Sequence, residues 1–232
     1  MSRNTKVSAV LVGVFVLIVA VVAVAAGGDG DKAPGASTGA STTTSTTATT
    51  AAEPATRVVA ADPRRLGRRG SSGVTFTEFL DFECESCAAA YPAVEQLRQE
   101  YAGRVTFNIR YFPIDSHKNA RNAAHAVEAA AQQGKLEPMY KRMYDTQTSW
   151  GEKGTSEAPR FRTFAKDLGL DMQQYDAAVA DAQTAARVER DVEAGRQLGV
   201  QGTPTFFINE ERIEPQSFDD LRQRLEAAIA AS

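Results

Sequence analysis

Only two cysteines occur in the 232 residues, and they stand three apart as Cys84-Glu85-Ser86-Cys87. Val74 to Phe82, just before them, alternates with the period of a strand, and the residues after them carry a helical pattern. A chain that turns from strand to helix with two thiols in the first turn has few folds open to it. The two sulfurs can close on each other, yet the loop is too small to cross-link anything distant. Such a bridge constrains little of the unfolded chain, so a redox-active pair fits the spacing better than a staple. Two other readings stay open, a short-loop structural disulfide and half of a zinc site. Zinc wants about four ligands, and only His117 and His125 remain to add nitrogen. No metal and no cofactor is expected.

The ends of the chain differ in kind. Val7 to Ala26 is apolar but for Ser8 and Gly13, long enough to cross a bilayer as a helix and longer than the apolar core of a typical cleaved signal. Arg3 and Lys6 precede it, and Asp29 and Asp31 follow. Positive residues stay in the cytoplasm, so residues 1–26 are expected to be a cytoplasmic tip and a single-pass anchor in the lipid bilayer of the cell membrane, with the remainder extracytoplasmic. Ala23-Val24-Ala25 has the small residues of a cleavage site, which leaves secretion after cleavage as the alternative. Residues 27–56 are Gly, Ala, Ser and Thr with a few prolines, a composition that cannot offset chain entropy by burial and predicts a disordered tether. Residues 57–232 are left as one domain. Nucleic acid is not an expected partner, because the net charge of -3 carries no basic bias.

Within that domain, one face of the first strand carries Val74, Phe76, Glu78, Leu80 and Phe82, so Glu78 is placed among large apolar side chains, where a carboxylate is costly unless paired or protonated. The helix after Cys84 is predicted to run to about Tyr101, with a second strand over Arg104 to Phe112. The strand–helix–strand order makes a βαβ unit with the cysteines at the C-terminal end of its first strand, where open α/β sheets place their chemistry. Helices are expected over about 119–133, 138–148, 159–168, 172–180 and 184–198. Gly202-Thr203-Pro204 leads into a strand over Thr205 to Asn209, a short strand follows around Arg212–Ile213, and Phe218 to Ala230 closes as an amphipathic helix.

Four features in this order carry a resemblance: Phe82-x-Cys84-x-x-Cys87, Pro113 with His117 to Asn119, the alanine-rich helix, and Gly199-Val200-x-Gly202-Thr203-Pro204-Thr205. From Val74 to Ala230 the chain resembles the DsbA-like thiol-disulfide oxidoreductases of the thioredoxin superfamily. The resemblance implies an α/β thioredoxin fold with a helical insertion at about 119–198, between the βαβ half and the half that bears a cis proline. It further implies that Pro204 is that proline and faces the sulfurs, that Thr203 offers its backbone to an extended substrate, and that Glu78 moves protons for the resolving thiol. A core acid held by hydrogen bonds is the plainer reading of Glu78. The implied partners are exported proteins bearing thiols or disulfides and a membrane redox partner that reoxidises the pair.

Helix position assigns the two sulfurs. Cys84 opens a helix, where orphan N–H groups and the dipole favour an anion, and is read as the attacking cysteine; Cys87 lies a turn inside and resolves. Glu85 and Ser86 stand where strongly oxidising relatives carry Pro-His. Glu83 and Glu85 are expected to raise the Cys84 pKa relative to a histidine there, giving a weaker oxidant. Reductase or isomerase action, for instance in cytochrome maturation, therefore remains an alternative to oxidase, and a non-catalytic binding module is a third. His117 either borders the site or serves the surface. His125 is expected to be a packing or surface residue, and Trp150 to pack the insertion rather than contact substrate.

Overall fold

The structure is a computed structural model and describes residues 57–232. The apolar run and the tether lie outside the described residues. Among the described residues no helix is long and apolar enough to cross a membrane.

Five strands form one sheet in the order β1-β3-β2-β4-β5. At its centre is β2 (Thr75–Leu80), whose neighbours are β3 (Thr106–Tyr111) in parallel and β4 (Thr205–Ile208) in antiparallel. The edges are β1 (Arg64–Leu66) and β5 (Glu211–Ile213), each antiparallel to its neighbour. Strand β1 has no counterpart in the sequence reading, since three residues that include two arginines give no period-two signal. Both faces of β2 are buried from Phe76 to Leu80. On one, Phe76 meets Phe107 and Phe206 at ring separations of 5.4 and 5.5 Å. On the other, Phe79 meets Phe207 and Phe112 edge-on at 5.6 and 6.3 Å. Glu78 shares the Phe76 face as expected, in register between Ile109 and Phe206.

Helix α1 (Glu85–Glu100) follows β2 directly, and its buried residues Cys87, Val94 and Leu97 recur at helical spacing. Pro92 lies inside it, and Gly103, at a φ of 73° that glycine adopts without a Cβ clash, turns the chain back towards β3. After β3 come five helices: α2 (Ala120–Gln132), α3 (Leu136–Thr146), α4 (Ala158–Asp167), α5 (Met172–Ala180) and α6 (Ala182–Gln197). The expected helix from Pro138 begins earlier, at Leu136, because proline is tolerated in a first turn whose N–H groups have no intrahelical partner. Alanines dominate the buried side of α2, and their small size lets it pack against α3, α4, α5 and α6. Trp150 is fully buried against Phe161, as its packing reading required.

Helix α6 returns to the sheet. Gly195 lies against the aromatic rings there, and a Cβ on it would sit 2.8 Å from Phe112 and 3.0 Å from Phe79. Asp191, also on α6, is buried and holds Arg110 of β3 at 2.7 Å, accepts from the Tyr111 N–H at 3.2 Å and pairs with Arg187 at 2.7 Å. A buried carboxylate with two guanidiniums is fully used; deleting one partner of such a set costs roughly 3–5 kcal/mol. The last helix, α7 (Phe218–Ala230), has the limits its apolar stripe predicts and is capped by Ser217, whose side chain accepts from the Asp220 N–H. The result is an α/β thioredoxin-like fold with a helical insertion between its two halves.

Candidate active site

Cys84 is the N-cap of α1, with extended backbone angles, so its sulfur stands where the first-turn N–H groups have no intrahelical partner. The two cysteines are not bonded to each other, which makes this the dithiol form. Cys84 keeps 7 % of its surface exposed and Cys87 none. From the other half of the fold, the Thr203-Pro204 loop closes over the sulfur: the Thr203 carbonyl accepts from Cys84 Sγ at 3.4 Å, and the peptide bond to Pro204 is cis. Thus the structure brings Cys84, Cys87, Thr203 and Pro204 to one place from residues more than a hundred positions apart.

The two sulfurs are electrostatically unequal. The hydrogen bond from Cys87 lowers the Cys84 pKa to about 5, Thr203 and the N–H groups of Cys87 and Ser86 act in the same direction, and burial only partly opposes them. The Thr203 hydroxyl, buried and unpartnered among the described residues, is the donor that side chain has for an ionised sulfur. Cys87 is pushed the other way, well above the ordinary thiol range, by burial first, then by its bond to Cys84 and the charge of Glu78. Glu78 itself is 2 % exposed, and burial first, then the charges of Cys84 and Glu95, raises it to about 8. It makes no ion pair among the described residues, so protonation is its route to tolerating burial.

Several residues that shape the site gave no sequence signal. Asp81 is buried, and its carboxylate accepts from the N–H of Glu83 at 2.8 Å, the N–H of Ile114 at 2.9 Å and His117 Nδ1 at 2.7 Å. Its carbonyl accepts from the Cys84 N–H at 3.2 Å. One carboxyl therefore ties the turn before Cys84 to the loop after β3. Burial raises the Asp81 pKa against the pull of those bonds. His117 borders the site: burial works to lower its pKa, but the Asp81 bond and charge and the Cys84 charge outweigh it, leaving a net rise. His125 sits on α2 away from this cluster, and burial lowers its pKa.

Glu83, expected as a negative charge beside the sulfur, is instead engaged by the insertion. It is 1 % exposed. Its carboxylate accepts from the N–H of Asn119 at 2.5 Å and of Glu152 at 3.2 Å, and its carbonyl accepts from Gln147 Nε2 at 2.7 Å. Asn119 extends the link, donating to the carbonyls of Lys153 and Thr155 and accepting from the Glu157 N–H. The charge is spent on backbone N–H groups of the insertion. Neither Glu83 nor Glu85 figures among the leading influences on Cys84, which are the hydrogen bonds already named.

Comparison with known proteins bears on the family and the fold. The sequence model of the thioredoxin family matches residues 63–227. Solved structures with the same fold include oxidised BdbD from Bacillus subtilis, 20 % identical with a TM-score of 0.64 over 72 % of this chain and 93 % of that one. A thioredoxin-like oxidoreductase from Silicibacter pomeroyi DSS-3 is 24 % identical, with a TM-score of 0.64 over 78 % of this chain and all of that one. The thiol-disulfide exchange protein alpha-DsbA2 from Wolbachia pipientis is 21 % identical, with a TM-score of 0.60 over 71 % and 86 %. In sequence the chain is 35 % identical over 179 residues to Na(+)/H(+) antiporter NhaA 3 of Salinispora tropica, covering 75 % of this chain and 26 % of that protein. It is 34 % identical to Na(+)/H(+) antiporter NhaA 1 of Salinispora arenicola, covering 67 % and 23 %. The chain thus spans about a quarter of the length of these curated relatives. They correct one expectation. An ion antiporter needs several membrane spans to build its path, so these relatives point to a topology other than a single-pass anchor with an extracytoplasmic domain, and the localisation read from Val7 to Ala26 is withdrawn.

Proposed function

The chain belongs to the thioredoxin family, and we propose that its Cys84–Cys87 pair carries out dithiol–disulfide exchange and acts as an oxidant of cysteine pairs in other proteins. The observation that carries the reading is the split between the two sulfurs, Cys84 held down at about 5 and Cys87 held up. A low thiolate pKa stabilises the reduced form, and a stabilised reduced form makes the disulfide a better oxidant.

In the proposed cycle a substrate thiolate attacks Cys84 Sγ of the oxidised pair. The Cys84–Cys87 bond breaks and its electron pair leaves on Cys87, whose buried sulfur then takes a proton. Glu78, neutral up to about pH 8 and near enough for its charge to act on Cys87, is the proposed proton source. A second substrate thiolate attacks the substrate sulfur of the mixed disulfide, and Cys84 departs as a thiolate. Two electrons have then passed from substrate to protein. Thr203 and Pro204 are proposed to receive the substrate backbone in an extended, strand-like pairing that accepts many sequences. We take residues 57–232 as the catalytic unit. Its reduced pair must pass the electrons on to a redox partner, which we place at the membrane; the support is that relatives carry a matching segment within chains named as Na(+)/H(+) antiporters.

Cys84→Ser is expected to abolish exchange, and Cys87→Ser to accumulate mixed disulfides through Cys84, seen as dithiothreitol-sensitive bands on non-reducing gels and located by mass spectrometry. Trapped species that form through Cys87 alone would reverse the roles. The Glu85-Ser86 dipeptide favours a second reading, reduction or isomerisation of disulfides. Acid-quenched thiol labelling of the native chain separates the two, because an oxidant is held mainly as the disulfide and a reductant mainly as the dithiol.

A further inference from the structure

A polar row crosses the sheet on the face of β2 that carries Thr77 and Phe79. Asn108 of β3 lies in register with Arg65 of β1 on one side and Thr77 of β2 on the other, so the three side chains project from the same face. Asn108 is 3 % exposed and Thr77 fully buried, yet both polar atoms of the Asn108 amide, the Thr77 hydroxyl and Arg65 Nε have no hydrogen-bond partner among the described residues. Leaving a buried donor or acceptor unpaired costs roughly 1–3 kcal/mol each. Two of these residues, Asn108 and Arg65, also line a cavity, so their partner can be a separate molecule.

The space for that molecule is present. Asn108 and Arg65 line a cavity of about 380 Å3 between the sheet and the segment entering at Arg57. Other polar groups along its wall are already engaged: Thr106 Oγ1 accepts from the Gly70 N–H, and Asn209 Oδ1 accepts from the Thr75 N–H. Arg57, Arg65 and Arg69 all line it and form no ion pair among the described residues, whereas its only carboxylate, Glu210, is occupied by the Val58 N–H at 3.0 Å. Three unpaired guanidiniums against one engaged carboxylate leave an excess of positive charge, and guanidinium forks match the oxygens of phosphates and carboxylates. We propose that this cavity binds a small metabolite through a phosphate or carboxylate group, with Arg65 and the Asn108 amide as its inner contacts and Arg57 and Arg69 at its rim. Thr75 and Thr106 place it at the beginnings of β2 and β3, the end of the sheet opposite Cys84. The ligand therefore does not touch the thiols.

Isothermal titration and melting of the full chain with sodium phosphate and, separately, with citrate test the site, ionic strength being held constant with sodium chloride. Saturable binding is expected, weakened tenfold or more by Arg65→Gln and by the double variant Arg57→Gln/Arg69→Gln, while the rate of exchange with a small dithiol stays unchanged. The rim variants alter exposed side chains, so their fold is retained even if Arg65→Gln disturbs the sheet. Saturation by phosphate alone identifies a phosphate ligand, and saturation by citrate alone a carboxylate. A melting temperature that follows ionic strength only would mean the cavity holds water, and saturation that survives both variants would place the ligand elsewhere; either result overturns the proposal.

Discussion

Glu78 ionises at about 8 rather than at its ordinary 4.5, so at neutral pH the native state keeps a proton that the unfolded chain has released. A native state that binds more protons loses stability as pH rises, here across the interval from 4.5 to about 8. At about 1.36 kcal/mol per unit, the loss at pH 7 is on the order of 3 kcal/mol. Glu78→Gln is expected to raise stability at pH 7, to flatten that decline in urea titrations across the interval, and to slow thiol exchange in stopped-flow. Faster or unchanged exchange would leave Glu78 a structural acid. His117 works from the other side. Because the Cys84 charge helps raise the His117 pKa, a protonated His117 must in return favour the Cys84 thiolate. His117→Phe is therefore expected to move Cys84 up from about 5 in thiolate absorbance titrations and to make the reduction potential more negative. The shift should be on the order of tens of millivolts, ~30 mV matching about 1.4 kcal/mol. The difference should fade as pH rises through the folded pKa of His117, above its ordinary 6.5, where the wild-type ring loses its charge. An unaltered potential at pH 6 would show that the ring acts only through packing.

At the scale of elements, the bond network from Glu83 to Asn119 fixes the insertion to the turn that holds Cys84. Asn119→Ala removes two donors and one acceptor from a fully buried position and strands the Lys153, Thr155 and Glu157 backbone groups they served. A loss of roughly 1–3 kcal/mol in chemical denaturation is expected, with faster hydrogen exchange from residues 152–157 than from β2. Uniform loss of protection would indicate that the insertion does not move independently. The sequence makes some of these elements plain and hides others. Strand β2 and the limits of α7 are legible because each has a strong apolar period, and Glu78 is legible as buried because it interrupts one. Asp81 shares the strand's other face with threonines, so periodicity does not distinguish it from a surface acid. Glu83, next to a helix start, looks solvated for the same reason. What buries them comes from Ile114, His117, Asn119 and Glu152, far along the chain, and no local pattern encodes those meetings. Pro204 is legible only through the resemblance, since its place over Cys84 depends on β4 pairing with β2.

For the whole molecule, the proposed direction of electron flow makes a thermodynamic demand. If the protein is an oxidant, the dithiol form must be the more stable one, because a strong oxidant is one whose reduced state the fold favours. Scanning calorimetry at pH 7 should give a higher Tm for the dithiol than for the disulfide form, and the margin should shrink as pH falls through about 5, where Cys84 takes up its proton. The opposite order would favour the reductase reading. The buried carboxylate of Glu83 bears on something broader, the modularity of this domain. A helical insertion is commonly regarded as an accessory that a family gains or sheds while its catalytic core goes on unchanged. Here the core itself carries an acid whose hydrogen-bond donors belong to the insertion. Trimming residues 119–198 to reach a minimal thioredoxin would leave that charge buried and unsatisfied beside the nucleophile, and grafting the Cys84–Cys87 turn onto another scaffold would bring over the acid without its donors. The two parts can be inherited, exchanged or redesigned only as a pair.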